Sequence, residues 1–111
     1  MHFPRAALVV ARHFMIYAME GKVRAHITIE GRVQGVCFRA FTRDIARRSD
    51  VRGWVKNLPN GDVEAVLEGA KKDVGVVIAN CYKGPPGSLV TNISIKWENY
   101  TGEAEPFSIT Y

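Results

Sequence analysis

The sequence predicts a single α+β domain with elements in the order β-α-β-β-α-β, in which one antiparallel sheet has two helices on one face. Three observations lead to this prediction. Apolar residues alternate with polar ones in several short stretches, they recur at helical spacing in two others, and turn-forming residues separate the stretches. The length of 111 residues and the apolar content of 47% suit one domain with a buried core.

The first strand and the first helix are recognised by a change of period. In "VRAHITIE", residues 23–30, every second residue is apolar, which is typical of a strand with one face on a core. Apolar residues then recur at helical spacing among charged ones, at Phe38, Phe41, Ile45 and Ala46. This pattern predicts an amphipathic helix that begins near Val36 and ends near Ser49.

The remaining elements complete the order. "VRGWVKN" at 51–57 and "DVEAVLEG" at 62–69 flank a Leu-Pro-Asn-Gly turn and predict a hairpin. A second helix is predicted over residues 71–82, and "GPPG" follows it. Its apolar stripe contains Val74, Val77, Ile78, Cys81 and Tyr82. "LVTNISIKWE" predicts the next strand, with Ile93, Ile95 and Trp97 on one face, and "PFSITY" is long enough to add a short last strand.

This order is the split β-α-β pattern of ferredoxin-like sandwiches. The fold occurs in enzymes, RNA-binding modules and metal carriers, so it does not decide the function. The charge distribution narrows the choice, because residues 1–60 carry 11 Lys and Arg against 4 Asp and Glu, whereas residues 61–111 carry 4 against 7. A basic half attracts anionic ligands, either phosphorylated small molecules or nucleic acid.

A separate leader occupies positions 1–21, and the domain is predicted to span positions 22–111. The apolar stretch "AALVVA" is far shorter than the roughly 20 residues that span a bilayer, and no clear signal-peptide cleavage site follows it. The leader is either loosely attached, docked as a helix, or the product of an over-long reading frame. Two cysteines, without metal-ligand spacing among Cys, His and acidic residues, predict a cytoplasmic protein without a metal.

The stretch "GRVQGVCFRAF", residues 31–41, is the first candidate site. Gly31 and Gly35 permit a sharp turn between strand and helix, and the unpaired amides at a helix start favour an anion. Arg39 lies in the first helical turn, where its charge is mildly unfavourable unless it has an anionic partner. The alternative is a surface arginine beside an ordinary turn, and spacing alone favours anion binding only slightly.

The second candidate is Asn57, which follows Arg39 in the chain and lies within "GWVKNLPNG". Considered alone, its side chain is better explained as initiating the hairpin turn. Together, however, "GRVQGVCFR" and "VRGWVKNLPNGDVEAVLEG" resemble the acylphosphatase family. The resemblance covers about residues 22–111, including the order of elements and the terminal aromatic strand.

The resemblance implies an enzyme that hydrolyses the carboxyl–phosphate anhydride of small acyl phosphates, with inorganic phosphate as a product and with no metal or organic cofactor. By the same resemblance, Arg39 binds the phosphate and Asn57 holds the attacking water. The backbone amides that cradle the phosphate belong to Gln34, Gly35, Val36, Cys37 and Phe38. We expect a monomer that binds neither nucleic acid nor membranes.

Cys37 departs from the commoner family pattern of glycine or an aromatic residue. A thiol at a helix start is a candidate nucleophile. However, cysteine phosphatases place their arginine six residues after the cysteine, and Arg39 follows Cys37 by two. A Cys37–Cys81 disulfide is also not expected, because two parallel helices would separate these cysteines by about 16 Å.

The main alternative from another class is an RNA-binding module, which shares the fold and suits a basic protein. Such modules stack bases on aromatic residues of their central strands. The predicted third strand, "DVEAVLE", is acidic and has no aromatic residue, which argues against this alternative. Acylphosphatase-like domains also occur within larger carbamoyl-transfer proteins, but no zinc-finger cysteines accompany this domain, which favours a free-standing hydrolase.

Overall fold

The computed structural model describes residues 21–111, so the predicted leader lies almost wholly outside the described residues. The elements are β1 (Lys22–Arg32), α1 (Phe38–Arg48), β2 (Arg52–Asn57), β3 (Val63–Ala70), α2 (Lys71–Lys83), β4 (Leu89–Glu98) and β5 (Ser108–Ile109). This confirms the predicted α+β, βαββαβ order. Among these residues, neither helix is both long and apolar enough to cross a membrane.

The sheet has the strand order β4-β1-β3-β2-β5. The pairs β1–β3, β1–β4 and β2–β3 are antiparallel, which confirms the predicted antiparallel sheet for the first four strands. The short strand β5 differs, because it pairs with β2 in parallel, with Ser108 opposite Trp54 and Ile109 opposite Val55. The complete sheet is therefore mixed, and β5 lies beside the strand that ends at Asn57.

The core lies between one face of the sheet and the two helices. Ala25, Ile27 and Ile29 of β1 are fully buried on this face, as the alternation predicts. Helix α1 contributes Phe38 to the core, and Phe107 reaches it from the segment that precedes β5. The burial of Phe38 fixes the start of α1, and the burial of Phe107 fixes the position of β5. Both of these places border the site described below.

The two helices run antiparallel, and the prediction of parallel helices was wrong. A Cβ placed on Gly84, just after α2, would lie 3.2 Å from the ring of Phe38, so the end of α2 lies beside the start of α1. Thr42 Oγ1 accordingly lies 3.8 Å from Cys81 Sγ. Parallel helices were not compatible with the sheet, because β1 and β3, which each precede a helix, are themselves antiparallel.

Both cysteines are nevertheless unbridged, as predicted. Cys37 is exposed at the start of α1, whereas Cys81 is buried in the core. Thr42, the neighbour of Cys81, lies five residues beyond Cys37, which is about 7.5 Å along a helix axis. Burial raises the pKa of the Cys81 thiol to about 11, although a hydrogen bond with Thr42 opposes this shift.

A buried carboxylate anchors the segment between β4 and β5 across the open face of the sheet. Glu68 is 1% exposed. It accepts hydrogen bonds from the Thr101 amide and hydroxyl, at 2.7 and 2.8 Å, and from the Glu103 amide at 2.8 Å. Arg24 forms an ion pair with it at 3.1 Å. These contacts determine the path by which the chain reaches β5.

Candidate active site

An open cleft of about 380 Å³ lies where the loop after β1, the start of α1, the end of β2 and the segment around β5 meet. Six of the seven predicted site residues line it: Gln34, Gly35, Cys37, Phe38, Arg39 and Asn57. Val36, the seventh, is partly buried and packs against the core. The two motifs therefore reach one cleft, although Arg39 belongs to α1 and Asn57 ends β2.

Backbone geometry shapes the loop that carries residues 34–38, called the phosphate loop below. Gly35 has a φ of 76°, and Cys37, the N-cap of α1, has a φ of 61°. The left-handed conformation at Cys37 delays the helix, which begins at Phe38 rather than near Val36 as predicted. Within residues 21–111, none of the amides of residues 35–39 donates a hydrogen bond to a backbone carbonyl.

The electrostatics at this helix start favour an anion. The first turn of α1 contains no acidic residue, and among the described residues no side chain caps its amides. Unpaired amides and the helix dipole together give a partial positive charge at this point. The cleft therefore offers hydrogen-bond donors of the kind that bind phosphate and sulfate groups.

Arg39 adds a full positive charge to the cleft. Its guanidinium carbon lies 5.2 Å from the centre of the Tyr111 ring, which is a cation–π distance. Among residues 21–111, no carboxylate lies within ion-pairing distance of Arg39. A guanidinium without a carboxylate partner keeps its planar pair of donors available for an oxyanion.

Asn57 presents a buried acceptor to the same region. Its Oδ1 atom is buried and has no hydrogen-bond partner among the described residues. The hairpin turn does not use this side chain, since Leu58 N donates to Asp62 O and Asn60 Oδ1 accepts from Asp62 N. The alternative role of Asn57 as the turn initiator is therefore filled by Asn60. Buried acceptors in proteins almost always bind a donor.

The sequence did not reveal every residue at the cleft. Ile109 and Tyr111 line it from the far end of the chain, and Val33 and Ala40 complete its wall. The aromatic end of "PFSITY" was the single available signal for Tyr111, and it carried no information on which residue the ring would contact. The side chain of Gln34 was also not foreseen in its actual role, because the prediction concerned only its backbone.

The fold and the cleft together define a class, namely an α+β domain with an oxyanion-binding cleft at the start of its first helix. In the part of the chain that the structure describes, no group of three or more His, Cys, Asp or Glu side chains is placed to hold a metal ion. The polar groups of the residues that line the cleft include backbone amides of the phosphate loop, the guanidinium of Arg39 and the carboxamide of Asn57. Such groups can bind a phosphoryl group and orient a neutral molecule beside it.

Comparisons with known proteins identify the family. The acylphosphatase family model matches residues 25–109. An acylphosphatase of Chloroflexus aurantiacus is 51% identical over 89 residues, which are 80% of this chain and 97% of that protein. The crystal structure of acylphosphatase from Bacillus subtilis superposes with a TM-score of 0.77 at 36% identity and covers 80% of this chain and 99% of its own.

The chain therefore belongs to the acylphosphatase family, as the sequence predicts. This membership supports acyl phosphate hydrolysis and does not favour an RNA-binding module. A likeness also extends to a crystal structure of full-length HypF in the phosphate- and nucleotide-bound form, with a TM-score of 0.69 and 28% identity. It covers 81% of this chain but only 12% of that one, so the same domain also occurs within a much larger protein.

Proposed function

We propose that this protein hydrolyses the carboxyl–phosphate anhydride of small acyl phosphates by in-line attack of water, without a metal or organic cofactor. In this proposal Arg39 and the amides of the phosphate loop bind the phosphoryl group, and Asn57 orients the attacking water. The products are a carboxylate and inorganic phosphate.

One observation carries the proposal. The phosphate loop, Arg39 and Asn57 line the same cleft, and the Asn57 Oδ1 atom is a buried acceptor without a partner among the described residues. A volume of about 380 Å³ suits a small molecule. A donor that binds Asn57 would thus lie in the same small space as a phosphoryl group held by the loop.

The chemistry suits these residue types. Phosphoryl transfer passes through a loose, in-line transition state, so a protein accelerates it chiefly by positioning and by stabilising charge. Preorganised amides and the guanidinium of Arg39 would stabilise the charge on the equatorial oxygens. The carboxylate of an acyl phosphate is a good leaving group and needs no strong general acid. A carboxamide is not a base at neutral pH. Its oxygen nevertheless accepts a hydrogen bond from water and thereby orients a lone pair of the water oxygen for attack.

Hydrolysis of benzoyl phosphate in the presence of EDTA tests this proposal. We expect the wild type to remain active with the chelator. Arg39→Ala should lower turnover by on the order of 10³-fold and weaken competitive inhibition by inorganic phosphate, because it removes the charge on the transferred group. Asn57→Ala should lower turnover to a similar extent but leave phosphate inhibition close to that of the wild type.

Two results would contradict the proposal. Loss of wild-type activity on chelation would show that a metal takes part. Turnover by Asn57→Ala near the wild-type rate would show that the carboxamide does not orient the water. Circular dichroism spectra of both variants would establish that any loss of activity does not come from unfolding.

We further propose a cytoplasmic, monomeric protein that does not act on nucleic acid. The unbridged cysteines are compatible with a reducing compartment. The cleft binds the phosphoryl end of its substrate, so we assign the substrate class by that end.

A further inference from the structure

The side chain of Gln34 connects the phosphate loop to the turn of the β2–β3 hairpin. Its Nε2 atom donates to Leu58 O at 2.8 Å and to Asp62 O at 2.8 Å. Both acceptors are backbone carbonyls, and they lie 24 and 28 residues from Gln34 in the sequence. These two hydrogen bonds, called the tie below, connect two segments that are distant in the chain but meet at the cleft.

The acceptors determine the orientation of the amide. An amide group carries two N–H donors on its nitrogen, and its oxygen can only accept. Because both partners are carbonyl oxygens, the nitrogen must face the hairpin, and both of its donors are used. A methionine or glutamate side chain of similar length cannot reproduce this double donation at neutral pH.

The position of the tie relates it to Asn57. Leu58 directly follows Asn57, and its carbonyl is one of the two acceptors. The other acceptor, Asp62 O, also accepts a hydrogen bond from the Leu58 amide at 2.8 Å. The tie therefore binds both ends of the turn. Gln34 itself begins the phosphate loop and lines the cleft. Movement of the hairpin relative to the loop would therefore require the tie to break.

We propose that Gln34 is a positioning residue, whose side chain fixes the distance between the bound phosphoryl group and the water oriented by Asn57. The inference rests on the proposed function. Because turnover depends steeply on the alignment of the attacking water, a small displacement of the hairpin should lower kcat strongly. Phosphate binding depends instead on the backbone of the loop and on Arg39, and should change little.

The test uses Gln34→Met, which keeps the length of the side chain and removes both donors. We expect kcat for benzoyl phosphate to fall by about 10- to 100-fold, the range that misplacement of a reacting group by about 1 Å can produce. The inhibition constant for inorganic phosphate should stay within about threefold of the wild type, because the substitution leaves the amides of the loop and Arg39 in place. Equal losses in both quantities would contradict the inference.

Asn60→Ala is the matched control. Asn60 stabilises the same turn, through Asp62 N to Asn60 Oδ1 at 3.0 Å, and its side-chain hydrogen bonds within residues 21–111 are with Asp62 rather than with the phosphate loop. If the tie acts through alignment, Asn60→Ala should retain kcat near the wild-type value. If Asn60→Ala and Gln34→Met lower kcat equally, Gln34 merely stabilises the turn and the inference is wrong.

A double variant shows whether Gln34 acts through Asn57. When one residue works only by positioning another, removing both costs no more than removing the second alone. We therefore expect Gln34→Met combined with Asn57→Ala to turn over no more slowly than Asn57→Ala. A further loss of about tenfold or more in the double variant would show an independent role for Gln34 and refute the inference.

Gln34→Glu provides a second variant if Gln34→Met does not fold. Its ionised carboxylate faces two carbonyl oxygens and cannot donate, whereas the protonated acid restores one of the two hydrogen bonds. The ratio of its kcat to that of the wild type should rise as the pH falls from about 7 to about 5. A constant ratio would contradict the inference. If the wild type is active and Asn57→Ala is not, failure of these tests refutes only the positioning role of Gln34 and leaves the proposed function intact.

Discussion

Replacement of Glu68 by glutamine tests whether one buried carboxylate holds the segment that leads to β5. Glutamine has the same shape but retains only one acceptor atom. If its oxygen faces Thr101 and Arg24, its amide nitrogen faces the donating amide of Glu103. Two donors then oppose each other in a site where the native side chain is 1% exposed.

The magnitude follows from these contacts. A buried polar group left without a partner costs about 1–3 kcal/mol. The ion pair with Arg24 adds less than a typical buried pair, because Arg24 also lies 3.1 Å from Glu98 and 3.3 Å from Glu103 and so keeps a partner. We expect a total loss of about 3 kcal/mol in the free energy of unfolding. In a domain of this size that corresponds to a decrease in Tm of about 12–24 °C.

The pH dependence gives an independent measurement. Burial raises the pKa of the Glu68 carboxyl. Hydrogen bonds lower it by more, so that the pKa lies below its ordinary value of 4.5; the donors are the amides of Glu103 and Thr101, the Thr101 hydroxyl and Arg24. A depressed pKa contributes stability that is present above the unfolded-state pKa and is lost as the pH falls through the folded-state pKa. The free energy of unfolding of the wild type should thus fall below about pH 4.5, and Glu68→Gln should flatten this decline.

Urea unfolding and thermal scans of the wild type, Glu68→Gln and Glu98→Gln provide the assay. Glu98→Gln is the matched control, because it removes the charge of another carboxylate partner of Arg24 at a more exposed position. It should destabilise the protein much less. A loss below about 1 kcal/mol in Glu68→Gln, or equal losses in the two variants, would refute the reasoning.

Three further predictions concern single positions. Cys37→Ala should retain most activity, and a loss of activity as large as that of Arg39→Ala would instead indicate a thiol mechanism. In the native wild type only Cys37 should react rapidly with a thiol reagent, because Cys81 is buried and has a pKa of about 11. Tyr111→Ala should raise the inhibition constant for phosphate by about two- to fivefold, since it removes the cation–π contact with Arg39, and an unchanged constant would contradict this. Asp50→Gly should raise the free energy of unfolding by about 0.5–1 kcal/mol in urea, because Asp50 has a φ of 55°, and a decrease would show that its side chain matters more than its backbone.

The local patterns of the sequence predicted the elements and most of the buried face. The alternation in β1 and the motifs around Arg39 and Asn57 needed only neighbouring residues to be interpreted. In β4 the same kind of alternation was less informative. Ile93 is buried, but Ile95 and Trp97 are 38% and 55% exposed, because β4 is the edge strand of the sheet and has a described strand on only one side.

Contacts between distant segments could not be predicted. Glu68 alternates with the apolar residues of β3 in the sequence, but its burial depends on Thr101 and Glu103, which belong to the segment after β4. The two carbonyls bound by Gln34 and the ring that packs on Arg39 likewise belong to distant segments. The helix directions were mistaken for a related reason, since they depend on which strands become neighbours in the sheet.

The short strand β5 has a consequence for the motions of the protein. It consists of only two residues, which both pair with β2. The surrounding segment is held mainly by the buried ring of Phe107 and by the Arg47 Nε–Phe107 O and Thr110 N–Val55 O hydrogen bonds, each 2.8 Å long. Its amides should therefore exchange with deuterium sooner than those of the central strands. Each such opening would remove Ile109 from the wall of the cleft while β1 and β3 stay closed, so substrate access and global unfolding would occur on separate timescales.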